Sequence, residues 1–389
     1  MKKTGRTSAK EIIKAVLFGF AYPVLYRCFC LAAPAPDQVL LLELRFGKLS
    51  DNLAPYRHYY QKRSPGKLRV LCLGTENRNA LQQFRLYVKM FRTLSRARLV
   101  YVTESSNVLA AVKIRKETSL VQVWHACGAF KRFGYGLPDA PQEPYYNEYD
   151  LVPVSGKRVV EIYRQSMHQK EGAVKALGVA RTDMFFDRRF LSAAAEKVHS
   201  VIRERPGAAA DACRRKIVLF APTFRGNVAA AQMPEMPDLE TLYDAWHERA
   251  VVLYKGHPAV AERPAVPEEY RDFFLDVTDV LPTECLIAAA DLLITDYSSV
   301  IFDYSLFGRP MLFYAYDLAQ YDDGRGFYSP YEAFVPGPVC RNSRELADSG
   351  MIALDGCTKN DKVKQFREDY MGACDGHSLK RIIGMADPR

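Results

Sequence analysis

Ten short apolar runs that follow one another from residue 38 onward constrain the fold most strongly. They are largely unbroken series of branched and aromatic residues, and longer segments with helical periodicity separate them. Continuous apolar strands joined by helices are typical of parallel sheets covered on both faces. The sequence therefore predicts an α/β protein. The runs are QVLLLEL, KLRVLCLG, ARLVYVTE, LVQVWHA, DLVPVS, KIVLFAPTF, AVVLYKGHP, FFLDVTD, DLLITDYSS and RPMLFYAY.

The stretch RERPGAAADACRRK, residues 203–216, divides this series into two halves. It is rich in Ala, Gly, Pro and charge, and it is predicted to be an interdomain linker. A chain of 389 residues with 48% hydrophobic content is long enough for two cores. We expect Rossmann-like, doubly wound domains over residues 37–202 and 217–389, with ligands at the carboxyl ends of their strands. The sequence contains neither GxGxxG nor GxxxxGK[ST], so neither of those nucleotide fingerprints is predicted.

Residues 1–36 form a basic and apolar segment ahead of the first run. Its uninterrupted apolar part, from Ala15 to Tyr26, is shorter than the ~20 residues that span a bilayer. We predict an interfacial segment that holds the protein peripherally at the cytoplasmic face of an anionic membrane. Headgroup contacts are assigned to Lys2, Lys3, Arg6, Lys10 and Lys14, and acyl-boundary contacts to Ile13, Phe18, Phe20, Tyr22 and Tyr26. A cleaved signal peptide and a helix packed on the protein's own surface stay open as alternatives.

Charge and cysteine content narrow the set of partners. The net charge of +9 favours anionic binding partners. The basic residues are spread along the chain, so we do not expect nucleic acid to be the partner. Nine cysteines include no CxxC pair, which predicts neither a zinc site nor a disulfide framework. Such cysteine usage favours a reducing compartment. No metal and no cofactor are expected.

Two histidines directly follow apolar runs, one in each predicted domain. His125 follows QVW in VQVWHACGAF, and His257 follows VVLYKG in AVVLYKGHP. A neutral imidazole can take a proton from a hydroxyl group, and its charged form can bind phosphate oxygens. Both histidines are therefore candidates for chemistry, and a purely structural role stays open for each.

Further polar groups follow the runs of the second predicted domain. Ser298 and Ser299 are predicted to open a helix whose N-terminus attracts phosphate, although helix capping alone would also explain them. Thr283 and Glu284 begin another predicted helix, where a carboxylate can accept hydrogen bonds from ribose. Arg325 in GRGFY could neutralise a diphosphate. The other candidates for donor binding are Thr223, Arg225, Lys255 and Asp296.

Five motifs taken together resemble the CDP-glycerol glycerophosphotransferase family, the primases and polymerases of wall teichoic acid. They are WHACGAFKRFG, APTFR, GHP, ITDYSSVIFDYSLFGRPMLFYAYDL and RGFY, and the resemblance runs in order from about residue 41 to residue 346. Two positions depart from the family pattern. Ala126-Cys127-Gly128 stands where many members have Gly-Thr, which leaves the loop shape behind His125 open, and Ala180 replaces a proline of a turn.

The resemblance implies a GT-B architecture, in which two Rossmann-like domains face a central cleft and the second domain binds the nucleotide. It implies metal-independent transfer of glycerol phosphate from CDP-glycerol to a hydroxyl of a membrane-linked teichoic acid precursor, with release of CMP. His125 would be the general base, and His257 would stabilise charge on the transferring phosphoryl group. Lys131 and Arg132 would bind the acceptor and orient its phosphates.

Several alternatives stay open within and beyond this family. The acceptor is expected to be a lipid-linked disaccharide or a growing polyol-phosphate chain, and the length of the chain favours a primase over a polymerase. CDP-ribitol is the alternative donor. A sugar-nucleotide glycosyltransferase on the same fold and a non-enzymatic membrane-bound binding protein are the two rival classes.

Overall fold

The chain folds into two compact units. Unit 1 comprises Met1–Ala126, Phe133–Arg181 and His377–Arg389, and unit 2 comprises Cys127–Arg132 and Thr182–Gly376. The computed structural model describes residues 9–35, 37–74, 78–140, 145–204, 214–226, 230–321, 324–356 and 360–387.

Unit 1 is built on a parallel sheet. Its main strands are Val39–Glu43 (β1), Leu68–Cys72 (β2), Leu99–Val102 (β3) and Ser119–Gln122 (β4), in the order β2-β1-β3-β4. The strands Val152–Val154 (β5) and Val174–Ala176 (β6) form a second parallel pair. An isolated parallel β-bridge between Val121 and Leu151 joins this pair to β4. From β1 the chain continues to β2 on one side of the sheet, and from β3 it continues to β4 on the other side. The carboxyl ends of the neighbouring strands β1 and β3 therefore form a topological switch point.

Helices cover the sheets of unit 1. They are Ala9–Val16 (α1), Tyr22–Phe29 (α2), Ala54–Arg63 (α3), Ala80–Leu94 (α4), Asn107–Ala110 (α5) and Val160–Ser166 (α6). Asn79 and Gln82 form a reciprocal capping box that begins α4. The last helix of the chain, residues 378–386, also belongs to unit 1, where Ile382 and Ile383 join the core that contains Leu41.

The N-terminal helices pack one face on the protein and expose the other. α1 continues through a π-helical turn, Leu17–Ala21, into α2. Tyr22 and Tyr26 are buried, and their rings lie 5.5 and 6.1 Å from that of Phe91 in α4. The prediction that these two tyrosines reach the acyl boundary is therefore wrong, because α4 covers them.

The N-terminal helices also carry exposed apolar side chains. Ile12, Ile13, Val16, Phe20 and Val24 are all exposed. The segment Ile12–Phe29 is long and apolar enough to cross a membrane, judged by length and composition alone. Lys2, Lys3 and Arg6 lie outside the described residues, and Lys10 is described only by its backbone.

Unit 2 is built on one larger parallel sheet. Its strands are Lys216–Phe220 (β7), Ala250–Tyr254 (β8), Phe274–Asp276 (β9), Leu292–Thr295 (β10), Met311–Tyr314 (β11) and Val339–Cys340 (β12). The order is β12-β11-β10-β7-β8-β9, with every pair parallel. The direction of winding reverses between β7 and β10, so their carboxyl ends form the switch point of this unit.

Helices also cover the sheet of unit 2. They are Arg188–Glu204 (α7), Leu239–Trp246 (α8), Thr283–Ala289 (α9), Val300–Ser305 (α10), Tyr331–Phe334 (α11), Ser343–Leu354 (α12) and Asp361–Met371 (α13), and the helix Ser378–Ala386 of unit 1 is α14. Trp246 of α8 is fully buried, and its indole N–H donates to the carbonyl of Ala347 in α12 over 3.0 Å. Short 3-10 helices are Pro65–Lys67, Gly134–Gly136, Lys157–Val159, Ala180–Phe186 and Glu268–Tyr270.

The α/β prediction is confirmed, and all ten apolar runs contain strands. The domain boundaries expected from the sequence differ from the two units at three places. Residues 127–132 and α7 pack with unit 2, and α14 returns to unit 1. Most of the predicted linker, residues 203–216, lies outside the described residues, so that assignment stays a prediction.

Candidate active site

His125 lies in the turn that leaves β4, where the backbone bends sharply. Trp124 adopts a left-handed conformation with φ 54°, which a bulky side chain takes only under constraint. Its N–H donates to Oε1 of Gln122 over 3.1 Å, and its indole packs on the imidazole of His125 with 4.3 Å between ring centroids. The turn thus orders a histidine whose side chain is still 38% exposed.

The carboxylate of Glu104 faces one nitrogen of the His125 ring. Nδ1 of His125 lies 2.9 Å from Oε1 of Glu104, whose own side chain is 13% exposed. A carboxylate at this distance favours the proton on Nδ1 and leaves the lone pair on Nε2. That arrangement suits a group that accepts a proton from a substrate.

Glu104 was not among the residues expected from the sequence. It follows β3, and β3 pairs with β4 so that Val102 lies opposite Gln122. Residues just beyond the ends of neighbouring parallel strands lie at the same edge of a sheet. The carboxylate at the end of the run ARLVYVTE is the signal that could have identified it.

His257 has the opposite arrangement in unit 2. It lies in the turn after β8, it is exposed, and its ring packs on Phe224 with 4.7 Å between centroids. Its Nδ1 accepts a hydrogen bond from the backbone N–H of Ala259 over 3.1 Å. Because an accepting Nδ1 carries no proton, the proton of the neutral ring is on Nε2.

Arg225 is enclosed by two carboxylates. Its Nε lies 2.6 Å from Oδ2 of Asp317, and its Nη1 lies 2.8 Å from Oδ2 of Asp296. Nη1 also donates to the carbonyl of Thr223 over 2.8 Å. Burial opposes the charge, but the two carboxylates outweigh it and raise the pKa of the Arg225 guanidinium. This arginine, predicted to bind the donor substrate, therefore uses most of its N–H groups within the protein.

Asp296 joins the two sides of the switch point in unit 2. It is buried at the end of β10, and its Oδ1 accepts the backbone N–H groups of Thr223 and Tyr297 over 2.7 and 2.6 Å. Thr223 follows β7, so these bonds fix the loop after β7 to the loop after β10. Oγ1 of Thr223 is a buried atom with no hydrogen-bond partner among the described residues. A hydroxyl of this kind is available to a ligand.

Three tyrosine rings surround the guanidinium of Arg225. Its central carbon lies 5.2 Å from the ring centroid of Tyr297, 5.4 Å from that of Tyr316 and 5.3 Å from that of Tyr321. The hydroxyl of Tyr297 donates to Asp317 over 2.9 Å. Burial and this hydrogen bond raise the pKa of the Tyr297 phenol, so it stays a donor at neutral pH. The result is a rigid cation and aromatic cluster at the switch point.

Lys255 is used to hold a loop. Its Nζ donates to the carbonyls of Thr278 and Leu281 over 2.5 and 2.6 Å, and burial lowers the pKa of its ammonium group. That loop leads into α9, which begins at Thr283 as predicted. Thr283 is exposed and Glu284 is half-buried in the first turn of the helix. Lys255 thus supports the segment that presents these two residues.

Ser298 and Ser299 precede α10, which begins at Val300, so the predicted helix is confirmed. Oγ of Ser298 accepts the backbone N–H of Val300 over 3.3 Å, whereas the N-cap residue of α10, Ser299, forms no capping hydrogen bond with its side chain. Ser299 is exposed at the first turn, and Arg325 is exposed in its loop. The donor-binding roles of Ser299 and Arg325 stay predictions.

Lys131 and Arg132 belong to unit 2, although the sequence suggested the acceptor-side domain. Nζ of Lys131 donates to the hydroxyl of Tyr321 over 2.5 Å. The backbone of Lys131 also forms an isolated antiparallel β-bridge with that of Phe327. Nε of Arg132 donates to the carbonyl of Phe327 over 3.2 Å. Both basic residues therefore line the segment that also contributes Tyr321 to the cluster around Arg225.

Residues 127–132 are fixed in unit 2 by aromatic packing. Phe130 stacks on Phe334 with 4.8 Å between centroids and 9° between ring planes. Gly128 has φ 64°, and a Cβ at this position would lie 2.1 Å from the ring of Phe302. Only glycine fits both the backbone conformation and this close approach. This explains why glycine stands at position 128, in the Ala126-Cys127-Gly128 sequence that departs from the family pattern.

Metal ligands and disulfides were not expected. Within the described part of the chain, no group of three or more His, Cys, Asp or Glu residues could hold a metal ion. The seven cysteines that the structure describes are free thiols, at positions 28, 30, 72, 127, 285, 340 and 374. Independence of metal ions stays a prediction for experiment.

Two parallel-sheet units with polar side chains at the carboxyl ends of their strands define the GT-B-like class of α/β folds, as predicted. The sequence profile of the CDP-Glycerol:Poly(glycerophosphate) glycerophosphotransferase family matches residues 26–385. The chain belongs to this family of enzymes.

Similar proteins include primases and polymerases of teichoic acid. A ribitol-phosphate primase of Bacillus spizizenii is 34% identical over 97% of this chain and 96% of its own length. A glycerol-phosphate primase of Bacillus subtilis is 30% identical over 74% of this chain and 73% of its own. The chain spans about half, 54%, of a ribitol-phosphate polymerase of Staphylococcus aureus, TarL, which is 33% identical. Among solved structures, the wall teichoic acid polymerase TagF superposes with a TM-score of 0.71 at 20% identity, over 97% of this chain and 95% of that one.

Proposed function

We propose that the chain transfers a polyol phosphate from a CDP-polyol to a hydroxyl group of a membrane-linked teichoic acid precursor. The different partners of Nδ1 in His125 and His257, a carboxylate and a backbone N–H, carry this proposal, because the reaction needs one group that takes a proton and one that donates to phosphate. Nε2 of His125 takes the proton of the accepting hydroxyl. The oxygen then forms a bond to phosphorus as the bond between that phosphorus and CMP breaks.

The groups of unit 2 bind the donor in this proposal. Nε2–H of His257 donates to the transferring phosphoryl group or to departing CMP. The buried Oγ1 of Thr223 and the exposed Ser299, both at the switch point, serve the phosphates, and Glu284 serves the ribose hydroxyls. Arg225 acts as a positioning residue, since most of its N–H groups already donate to Asp296, Asp317 and the carbonyl of Thr223.

Two polyols are candidates for the donor. CDP-glycerol is the donor that the sequence motifs imply, and the family is described by the same chemistry. CDP-ribitol is the second candidate, because the ribitol-phosphate primase matches this chain over nearly the whole of both lengths.

A single addition is favoured over polymerisation. The ribitol-phosphate primase matches this chain over 97% of the chain and 96% of its own length. We therefore propose a primase-like activity, in which one polyol phosphate is added to each acceptor.

Mass spectrometry on a defined acceptor tests this proposal. A lipid-linked disaccharide, with or without a terminal glycerol phosphate, is incubated with CDP-glycerol, CDP-ribitol or UDP-sugars, in the presence and absence of EDTA. The expected result is a mass gain of one polyol phosphate with one CDP-polyol, unchanged by EDTA. Transfer from a UDP-sugar alone would favour the glycosyltransferase alternative, and loss of transfer in EDTA with recovery in Mg²⁺ would contradict the metal-free mechanism.

We also propose that the exposed face of the N-terminal helices lies on an anionic bilayer. Ile12, Ile13, Val16 and Phe20 would enter the acyl boundary while Lys14 meets headgroups. Tyr22 and Tyr26 attach this face to α4, so the rest of unit 1 would follow it to the surface. Such a position would bring the enzyme to a lipid-linked acceptor at the cytoplasmic face.

Vesicle sedimentation tests the membrane proposal. Ile13→Gln combined with Phe20→Gln should lower binding to phosphatidylglycerol vesicles by about tenfold or more, because two exposed apolar side chains are lost from the contact. Val280→Gln removes an equally exposed apolar group from unit 2 and is the matched control. Equal sedimentation of the double variant and the control would contradict an interfacial role.

A further inference from the structure

The switch point of unit 1 carries a cation that the donor chemistry does not use. In the order β2-β1-β3-β4, the carboxyl ends of β1 and β3 are where a doubly wound sheet binds a ligand. Arg45 follows β1 and Glu104 follows β3. Lys131 and Arg132, the residues predicted to bind the acceptor, belong to unit 2.

Arg45 and His125 share one carboxylate oxygen. Nη1 of Arg45 lies 3.8 Å from Oε1 of Glu104, and Nδ1 of His125 lies 2.9 Å from the same atom. A fixed positive charge therefore lies within one side-chain length of the group that takes the proton. An anion bound by Arg45 would be held next to the reacting hydroxyl.

The loop that presents Arg45 is held by the buried Glu43 at the end of β1. Its Oε1 accepts the backbone N–H of Arg45 over 3.2 Å, and its Oε2 accepts that of Ser50 over 3.3 Å. Oε1 also accepts a hydrogen bond from the hydroxyl of Thr103, which directly follows β3, over 3.2 Å. These bonds fix the loop after β1 relative to the strand that precedes Glu104. The position of Arg45 is thus built into the sheet.

The guanidinium of Arg45 is accessible and oriented. Its side chain is 55% exposed, compared with 16% for Arg225, and it pairs with one carboxylate at 3.8 Å instead of two at shorter distances. It stacks over the ring of Phe46 with 5.3 Å to the centroid. Stacking restricts the rotamers of the arginine while the other edge of its planar fork stays available for a phosphate.

The charges around this site are mixed. Burial and then the negative charge of Glu104 raise the pKa of the Tyr145 phenol, and the positive charge of Arg45 opposes them. Lys48 and Asp51 are exposed on the same loop. The phenol of Tyr145 therefore stays protonated.

We propose that Arg45 binds the phosphodiester nearest to the accepting hydroxyl, so that the preferred acceptor already ends in a polyol phosphate. This inference rests on the proposed function. The diphosphate of a lipid carrier lies a disaccharide away from the reacting end, whereas the phosphodiester of a terminal polyol is close to its hydroxyl. Glu104 is the positioning residue that holds Arg45 and His125 side by side.

Steady-state kinetics with two acceptors tests the inference. One is a lipid-linked disaccharide that ends in glycerol phosphate, and the other is the same molecule with an uncharged methylphosphonate in place of the phosphodiester. Arg45→Gln should raise the acceptor KM about 10- to 100-fold for the charged acceptor, the range for loss of a charge-assisted hydrogen bond, and leave the CDP-polyol KM unchanged. Arg45→Lys should recover part of the loss.

Arg63→Gln is the matched control in the same unit, because Arg63 is exposed and stacks on Tyr59 at 4.6 Å much as Arg45 stacks on Phe46. Its acceptor KM should stay at the wild-type value. Equal KM values for Arg45→Gln and wild type, or an equal rise with the uncharged acceptor, would overturn the inference. Failure of the wild-type enzyme to modify either acceptor would instead contradict the proposed function.

Discussion

The surroundings of His125 and His257 differ although their positions in the fold are alike. Each lies in an exposed turn directly beyond a parallel strand, and each packs on an aromatic ring, Trp124 or Phe224. Nδ1 of His125 faces the carboxylate of Glu104, and Nδ1 of His257 accepts a backbone N–H. One ring therefore presents a lone pair and the other a donor. The chemistry of a histidine at a strand end depends on the partner of its other nitrogen.

The arginines at the switch points of the two units, like the two histidines, differ in the partners that surround them. Arg45 in unit 1 is exposed and has one distant carboxylate partner, whereas Arg225 in unit 2 is enclosed by Asp296 and Asp317. Unit 1 thus leaves its cation accessible. Unit 2 uses its cation to fix the loops that carry the residues proposed to bind the donor. Residue type and motif position alone do not distinguish these two uses of arginine.

Removing the lone pair of His125 should have the largest effect. His125→Ala should lower turnover by about 10²- to 10⁴-fold, because a general base is lost, while binding of the CDP-polyol stays near normal. Turnover and donor affinity measured by calorimetry check this expectation. His58→Ala removes an exposed histidine from α3 of the same unit and should change neither value. A stable His125→Ala protein with the native turnover would remove His125 from the mechanism.

Removing the N–H group of His257 should lower turnover less than the loss of His125 does, and it should also change the binding of the CDP-polyol. His257→Ala should lower turnover by about 10²- to 10³-fold, as for loss of a hydrogen-bond donor to developing charge, and should also weaken CDP-polyol binding. His247→Ala is the control in unit 2, since His247 stacks on Tyr243 outside the switch point. If donor affinity were unchanged in His257→Ala, the assignment of this ring to the donor phosphates would be wrong.

Removing one of the two carboxylates that pair with Arg225 should have the smallest effect of the three substitutions. Asp317→Asn leaves the guanidinium with Asp296 alone and should cost about 2 to 3 kcal/mol in the free energy of unfolding. Urea denaturation measures this change. Asp279→Asn is the matched control, because Asp279 pairs with Arg263 but is 80% exposed, and it should cost less than about 1 kcal/mol. Equal losses in the two variants would contradict a structural role for the enclosed pair.

Much of this arrangement could be predicted from the sequence because strand ends and switch points follow from apolar patterning. The positions of His125, His257 and Asp296 beyond their strands required only the recognition of QVW, VVLY and LLIT as strands. The strands β6 and β12 were not predicted, since three and two residues give too short an apolar run.

The remaining features depend on contacts between distant residues. Glu104 approaches His125 only because β3 and β4 are neighbours in the sheet. Residues 127–132 join unit 2 through the stacking of Phe130 on Phe334, a contact that no local pattern encodes. For the same reason the sequence predicted that Arg225 and Lys255 bind the donor substrate, whereas Arg225 donates to Asp317 and Lys255 donates to the carbonyls of Thr278 and Leu281.

Nitrogen-15 NMR of the two histidine rings tests the central claim most directly. Uniformly labelled protein, with His125→Ala and His257→Ala used for assignment, reports which ring nitrogen carries the proton at neutral pH. The predicted result is a proton on Nδ1 of His125 and on Nε2 of His257, and Glu104→Gln should shift only the His125 signals. Protonation of both rings on the same nitrogen would contradict the division of roles between base and phosphate donor.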